Sequence, residues 1–244
     1  MVPSGPACIL GMPAVLDELR LAFSFLSRLP FGGKGTVKHI ARYFTLVGYV
    51  AGLLYWAGRR FVPGDLGAVL TIITGFYLFD LFHFDGLLDT FDGFLNQAGR
   101  EKCLEIMSKG DTGPFAVFLS FFYCLAFYLA FRSSEPTSLL FMSVCGRFAM
   151  NVLLAMTQPA KPGGLGALMS PYEHSATVVS VVLAAPLVFI DPLHWAVSMG
   201  VAVLTGVLMS IAARRKIGGY TGDVLGAACL LSQLLVLIAN LLLG

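Results

Sequence analysis

The sequence predicts an all-α protein: a polytopic membrane helical bundle of about seven transmembrane helices, preceded by an N-terminal amphipathic interfacial helix. Three observations carry that expectation. Of 244 residues, 57% are hydrophobic and only 12% charged, and the mean hydropathy is +0.81, whereas soluble domains carry about 25% charged residues. The apolar residues gather in seven runs joined by short polar stretches. No polar stretch is long enough to fold as a second domain, so residues 1–244 are expected to form a single integral-membrane domain.

Residues 1–13 contain Pro3, Pro6 and Pro13 and no basic run, which predicts a flexible leader and not a signal peptide. From Val15 to Leu29 a helical stripe of Val15, Leu16, Leu19, Ala22, Phe23, Leu26 and Leu29 faces away from Asp17, Arg20, Ser24, Ser27 and Arg28. Such a helix either lies in the membrane interface or packs on the bundle, and Pro30 ends it. A polar link from Gly32 to His39 leads into the membrane.

The seven runs are residues 42–60, 65–84, 114–131, 137–157, 176–190, 193–213 and 223–243. Several fall short of the roughly 20 residues that span a bilayer. The second run is uncharged only from Leu66 to Phe79, then carries Asp80, His83, Asp85, Asp89 and Asp92. It predicts a helix continuing out of the lipid into a polar chamber, with Gly99 as its stop. Most of the 16 Lys and Arg fall in loops on one side; only Arg59, Arg60 and Arg132 fall on the other, and Arg147 lies inside a run. The positive-inside bias puts the aspartates in the cytoplasm, together with residues 158–166 and 218–223. Cys8, Cys103, Cys124, Cys145 and Cys229 show no metal-ligand spacing and are expected to be reduced. No nucleic-acid partner is expected.

Chemistry concentrates in Phe84-Asp85-Gly86-Leu87-Leu88-Asp89-Thr90-Phe91-Asp92-Gly93. At i, i+4 and i+7 the three carboxylates share one narrow helical face. Two of them about 6 Å apart repel by roughly 2.8 kcal/mol at an effective dielectric of about 20. A divalent cation reverses that cost, and hard Mg²⁺ takes one or two carboxylates plus substrate phosphates. The bland alternative is a solvated helix extension. Gly86, Thr90 and Gly93 flank the acidic face and leave backbone-level room for a ligand. His83 and Asp80 point elsewhere on the wheel: His83 suits a core position as well as a catalytic one, and Asp80 a buried pair. Arg147, about 15 Å in from the cytoplasmic helix end, either clamps a substrate phosphate or pairs with Asp80. Gly218-Gly219-Tyr220-Thr221-Gly222-Asp223 opens an apolar helix whose free amides favour an anion, unless it is merely a capped helix with a flexible lead-in.

These motifs together resemble the membrane-embedded cobalamin synthases, the adenosylcobinamide-GDP ribazoletransferases. The resemblance runs from Phe25-Leu26-Ser27-Arg28-Leu29-Pro30 through His83 to Gly93, Glu105-Ile106-Met107, Gly146-Arg147, Ala160-Lys161-Pro162 and Gly164-Leu165-Gly166 to Gly218 through Ala227. Lys109-Gly110-Asp111-Thr112-Gly113 stands where the family resembles Asp-Ser-Arg-x-Gly, so no role passes to Lys109 or Asp111. Beyond Ala227, Leu230 and Gln233 stand where the family often has carboxylates.

The resemblance implies a magnesium-dependent transfer that joins α-ribazole, or its 5′-phosphate, to adenosylcobinamide-GDP, releasing GMP. It implies Mg²⁺ on Asp85, Asp89, Asp92 and Asp223, with Asp92 as a third ligand or as the base that draws the proton from the ribazole 5′-hydroxyl. Arg147 would stabilise the transferred phosphoryl group, and Gly86, Thr90, Gly93, Lys161, Gly219, Thr221 and Gly222 would bind substrate. The apolar chamber walls would accommodate the corrin ring. The expected setting is the cytoplasmic (inner) membrane of a prokaryote, with lipid around a multi-pass chain, the active site facing the cytoplasm and homo-oligomerisation left open.

Two rivals stand beside this reading. The CDP-alcohol phosphotransferases have a pattern beginning Asp-Gly-x-x-Ala-Arg, where this chain has Asp89-Thr90 in place of Ala-Arg. A cation-coupled transporter would string Asp80, Asp85 and Arg147 along a pathway, which the clustering of acids at one mouth disfavours.

Overall fold

A computed structural model describes residues 12–33 and 36–244. Residues 1–11, most of the expected leader, and residues 34–35 of the polar link lie outside the described residues. Met12 already belongs to the first helix, α1 (Met12–Leu26). A 3₁₀ stretch (Val37–Tyr43) leads into α2 (Phe44–Phe61), followed by α3 (Gly64–Gly75), a π-helical turn (Phe76–Asp80) and α4 (Leu81–Leu95). Then come α5 (Arg100–Lys109), α6 (Pro114–Ser133), α7 (Ser138–Met156), α8 (His174–Ala184) with a 3₁₀ extension (Ala185–Phe189), α9 (Pro192–Ile217) and α10 (Gly222–Leu243). Among the described residues the only β feature is an isolated parallel bridge between Pro159 and Tyr220.

Among the described residues, six helical spans are long and apolar enough to cross a membrane, and His174–Phe189 is a shorter apolar helix. The short segment is the return between two of these spans. Both α7 and α9 end at the bridge that ties residues 158–160 to Tyr220, so both run the same way, and the chain between them must return. Trp195 Nε1 donates to the Ala184 carbonyl at 2.9 Å where that return pass meets the start of α9. Six spans and this shorter return helix stand where the hydropathy predicted about seven transmembrane helices.

α7 is the axis of the bundle. Every residue from Ser138 to Leu154 is buried, which explains why this helix is apolar or small all round apart from Arg147 and Asn151. Gly48 and Gly52 on α2 allow the two backbones to meet: a Cβ on Gly48 would lie 2.7 Å from the Ser143 carbonyl oxygen, and one on Gly52 3.0 Å from the Leu140 Cα. This is the small-xxx-small packing that membrane helices favour in the absence of a hydrophobic drive between them.

The second run is one continuous helix, Gly64–Leu95, interrupted by the π turn. Within that turn the carbonyls of Leu78 and Phe79 accept from outside the helix, from the Arg28 amide at 2.7 Å and from the Arg147 guanidinium at 3.4 Å. The helix stops at Leu95, with Asn96 extended, and not at Gly99, which instead precedes the first turn of α5. α1 ends at Leu26, three residues before the predicted end. Its second half packs on the bundle through buried Ala22 and Leu26, while Val15 and Leu16 stay half exposed. Cys103, Cys124, Cys145 and Cys229 are free thiols, as expected.

Candidate active site

The site is built where α4 and α10 touch. A Cβ on Gly86 would stand 2.7 Å from the Asp223 Cα, and one on Gly226 2.8 Å from the His83 Cα. That contact fixes the rotation of both helices. It holds Asp85 and Asp223 on the wall of one cavity of about 520 Å³. α1 adds Ser24 and Phe25 to the wall, α5 adds Met107 and Ser108, and the loop between α7 and α8 adds Lys161, Gly163, Gly164 and Met169.

The first turn of α10 carries the anion-binding character. Thr221 caps it, accepting from the Val224 amide at 3.4 Å and donating to the Asp223 carboxylate at 3.1 Å. The lead-in is not flexible: the Tyr220 amide donates to the Gln158 carbonyl at 2.9 Å, and the Ala160 amide to the Tyr220 carbonyl at 2.8 Å. This pairing brings Lys161 and the glycines after it to the helix N-terminus. Gly164 turns the loop at φ +100°, a conformation that L side chains rarely adopt. Arg100 braces the arrangement by donating to the Ala160 carbonyl at 2.9 Å. Burial pushes the Tyr220 phenol up to about 12, so it stays protonated and donates to the Gly166 carbonyl at 3.2 Å.

Of the residues singled out by sequence, Asp85, Lys161, Thr221, Gly222 and Asp223 line the cavity. His83 lines it too, and the remaining candidates lie elsewhere. Gly86 is filled by the α10 backbone and Gly93 by the Met107 side chain, so neither leaves room for a ligand. Thr90 is 3% exposed, and its hydroxyl has no protein partner. A Cβ on Gly219 would meet the Gln158 carbonyl oxygen at 2.3 Å, which gives that glycine a packing role.

Asp92 shares the helical face of Asp85 but sits two turns further along the axis, about 10 Å, where α6 begins. Its carboxylate accepts from the Gly113 amide at 2.6 Å and the Ala116 amide at 3.0 Å. Both oxygens are thus engaged in capping α6, a position that a general base would not occupy. Asp89 lies one turn from Asp85, within electrostatic range of Asp223, Asp85 and Asp92.

Arg147 does not face the cavity. It is 0% exposed and donates to Asp80, also 0% exposed, at 2.8 Å. Tyr55 donates to the same carboxylate at 2.7 Å and Gln233 at 3.1 Å. Of the two roles open to Arg147 the structure displays the ion pair, and it removes the row of charges a transporter would need. Gln233, where a carboxylate could have stood, is a partner in this network. Lys109 pairs with Glu105 at 2.8 Å on the surface.

Among the described residues, the one trio of ligand atoms lying within 4.8 Å of one another is Asp80, His83 and Cys229, of which the Asp80 carboxylate already accepts from Arg147. Asp85, Asp89, Asp92 and Asp223 do not converge to that degree. Sequence reasoning left His83, off the acidic face of the wheel, open to a core or a catalytic role, and His83 lines the cavity beside Asp85. Met150 and Met169 were missed, since an apolar residue in an apolar chain carries no signal, and Phe25 and Met107 stood only as motif positions with no role assigned.

A model of the cobalamin-5-phosphate synthase family matches residues 18–241. The chain belongs to that family. A protein of Kosmotoga olearia named adenosylcobinamide-GDP ribazoletransferase is 48% identical over 226 residues, covering 91% of this chain and 97% of its own length. Proteins with the same name from Fervidobacterium nodosum and Pseudomonas putida are 46% identical over 91% of this chain and 32% identical over 89% of it, covering 96% and 95% of their own lengths. No solved structure matches the chain. The synthase-family match spans every element that builds the cavity, from α1 to α10.

Proposed function

We propose that this multi-pass membrane protein is an adenosylcobinamide-GDP ribazoletransferase and that the cavity between α4 and α10 is its active site. The observation that carries the proposal is the pairing, in one cavity, of two carboxylates with a helix N-terminus and a lysine, in a chain matched to the cobalamin-5-phosphate synthase family over residues 18–241. A pyrophosphate needs donors for its oxygens and carboxylates to hold the cation that neutralises it.

In the reaction, the oxygen of a free ribose hydroxyl of α-ribazole, or of α-ribazole 5′-phosphate, bonds to the phosphorus that bears cobinamide. The phosphorus–oxygen bond to GMP breaks, and the hydroxyl proton leaves. Gly222 and its neighbouring amides, with Lys161, orient the phosphates. Asp85 and Asp223 share the tasks of holding Mg²⁺ and receiving the proton, and Asp89 adds to the local negative charge. The donor set fits that ion: oxygen ligands, few in number, with substrate phosphates completing the shell. Bound Mg²⁺ supplies charge neutralisation on the leaving phosphate.

The loop charges support a cytoplasmic mouth in a prokaryotic inner membrane, with lipid against exposed apolar faces such as Phe118 and Phe121 of α6. The test is GMP release by purified protein given adenosylcobinamide-GDP, α-ribazole and Mg²⁺. Release that requires ribazole and stops with EDTA supports the proposal; release independent of ribazole overturns it.

A further inference from the structure

The end of α1 is locked to the π turn of the acidic helix. Ser27 donates to the Phe23 carbonyl and accepts from the Leu29 amide at 3.2 Å, and the Arg28 amide donates to the Leu78 carbonyl at 2.7 Å. These bonds fix where the Arg28 side chain begins. Its guanidinium carbon lies over the Tyr77 ring, 4.7 Å from the centre, and 5.9 Å from the centre of the Phe82 ring. Phe82 is part of the cavity wall, as are Ser24, Phe25 and Leu26 from the same end of α1. Arg28 thus stands one ring away from the cavity, on the side where α1 meets the acidic helix.

A guanidinium placed over a ring uses its face and keeps the N–H donors in its plane for another partner. Arg20, Arg42, Arg132 and Arg147 each meet a carboxylate. Arg28 is exposed, and among the described residues its side chain has neither a carboxylate nor a hydrogen-bond acceptor. Such a fork matches two oxygens of a phosphate, and the charge on both partners strengthens each bond.

α-Ribazole 5′-phosphate brings a phosphate beyond those of the pyrophosphate. Lys161 and the first turn of α10 serve the pyrophosphate, and Asp85 and Asp223 repel a further anion. A phosphate monoester carries about −1.5 to −2 charges at pH 7, so it needs a cation of its own away from those acids. We infer that Arg28 is a phosphate-ester site at the edge of the cavity, separate from the first turn of α10, which holds the 5′-phosphate of the acceptor while a free ribose hydroxyl faces the polar wall. The identity of the acceptor rests on the proposed transferase activity. The phosphate of a lipid headgroup offers the same chemistry. Tyr77 and Phe82, 54% and 64% exposed, are also rings of the kind that gather at headgroup level, so the experiment needs an arm for each source.

The first arm is equilibrium dialysis on the full chain in detergent, with α-ribazole and α-ribazole 5′-phosphate as separate ligands. Wild-type protein should bind the phosphate ester more tightly by about tenfold or more. Arg28→Gln should remove most of that preference, and Arg28→Lys, with the charge but not the fork, should keep part of it. Each preference is a ratio within one preparation, so a partly inactive variant does not distort it. The second arm follows thermal unfolding with added phosphatidylglycerol. If the acceptor is the source of the phosphate, the lipid shifts Tm equally in wild type and Arg28→Gln. A preference that Arg28→Gln leaves intact, together with a lipid shift that it abolishes, would support the phosphate site with a lipid as its occupant. A preference and a lipid shift that are both the same in Arg28→Gln and wild type would overturn the assignment. Arg28→Lys carries both arms if Arg28→Gln does not fold. Neither arm needs turnover, so wild-type protein that releases no GMP with either acceptor would refute the transferase reading instead, a distinct outcome.

Discussion

Gly86 on α4 and Asp223 on α10 meet backbone to backbone, with 2.7 Å between the position of a Gly86 Cβ and the Asp223 Cα. This contact is what makes two acidic residues 138 positions apart in sequence into neighbours on one cavity wall. Gly86→Ala should therefore push the helices apart, costing about 1–3 kcal/mol of stability and lowering transfer activity even where the protein folds. Gly93→Ala meets only the flexible Met107 side chain and should cost less. Thermal unfolding and initial rates on both variants check the ordering.

The Arg147–Asp80 pair predicts a non-additive result. Arg147→Met strands a buried carboxylate and should cost about 3–5 kcal/mol. Adding Asp80→Asn should recover much of that loss, because the stranded charge is gone. The double variant should retain the wild-type KM for both substrates. A stable double variant with no transfer would instead mean that Arg147 acts on substrate.

Asp92 and Asp85 should separate stability from activity. Asp92→Ala removes the cap of α6 and should cost about 0.5–2 kcal/mol, and Asp92→Asn should recover part of it through its side-chain oxygen. Asp85→Asn, at an exposed position, should change stability by less than about 0.5 kcal/mol and cost far more activity. Unfolding midpoints beside kcat/KM for the three variants give the comparison.

A pH effect is expected at α5, which carries Met107 into the cavity. Hydrogen bonds from Lys109 and Lys102 hold the Glu105 carboxyl at about 2, below its ordinary 4.5. Because the folded value is depressed, the contribution is complete above about pH 4.5 and is lost as pH falls toward about 2. The group is exposed, so the effect should be small and should fade in high salt. Comparing the acid unfolding of Glu105→Gln with wild type, at low and high ionic strength, measures it.

The apolar helices, the acidic helix and the capped start of α10 were legible because each rests on local sequence: apolar runs, i to i+4 spacing, a glycine-rich turn before an apolar helix. What the sequence hid was the rotation of helices about their axes. In lipid, outward faces are as apolar as inward ones, so periodicity does not say which side of α7 meets which neighbour, and Arg147 was left with two roles. The wheel put Asp92 with Asp85, but the neighbour that meets that face changes two turns further on, from open cavity to the start of α6. The Pro159–Tyr220 bridge, which carries Lys161 to the site, joins loops far apart in sequence and leaves no local mark.

The most direct measurement is the Mg²⁺ dependence of ribazole-dependent GMP release by Asp85→Asn beside wild type. The proposed site predicts that the Mg²⁺ concentration for half-maximal rate rises by about tenfold or more, with folding unchanged. An Asp85→Asn protein with wild-type rate and wild-type Mg²⁺ dependence would contradict it.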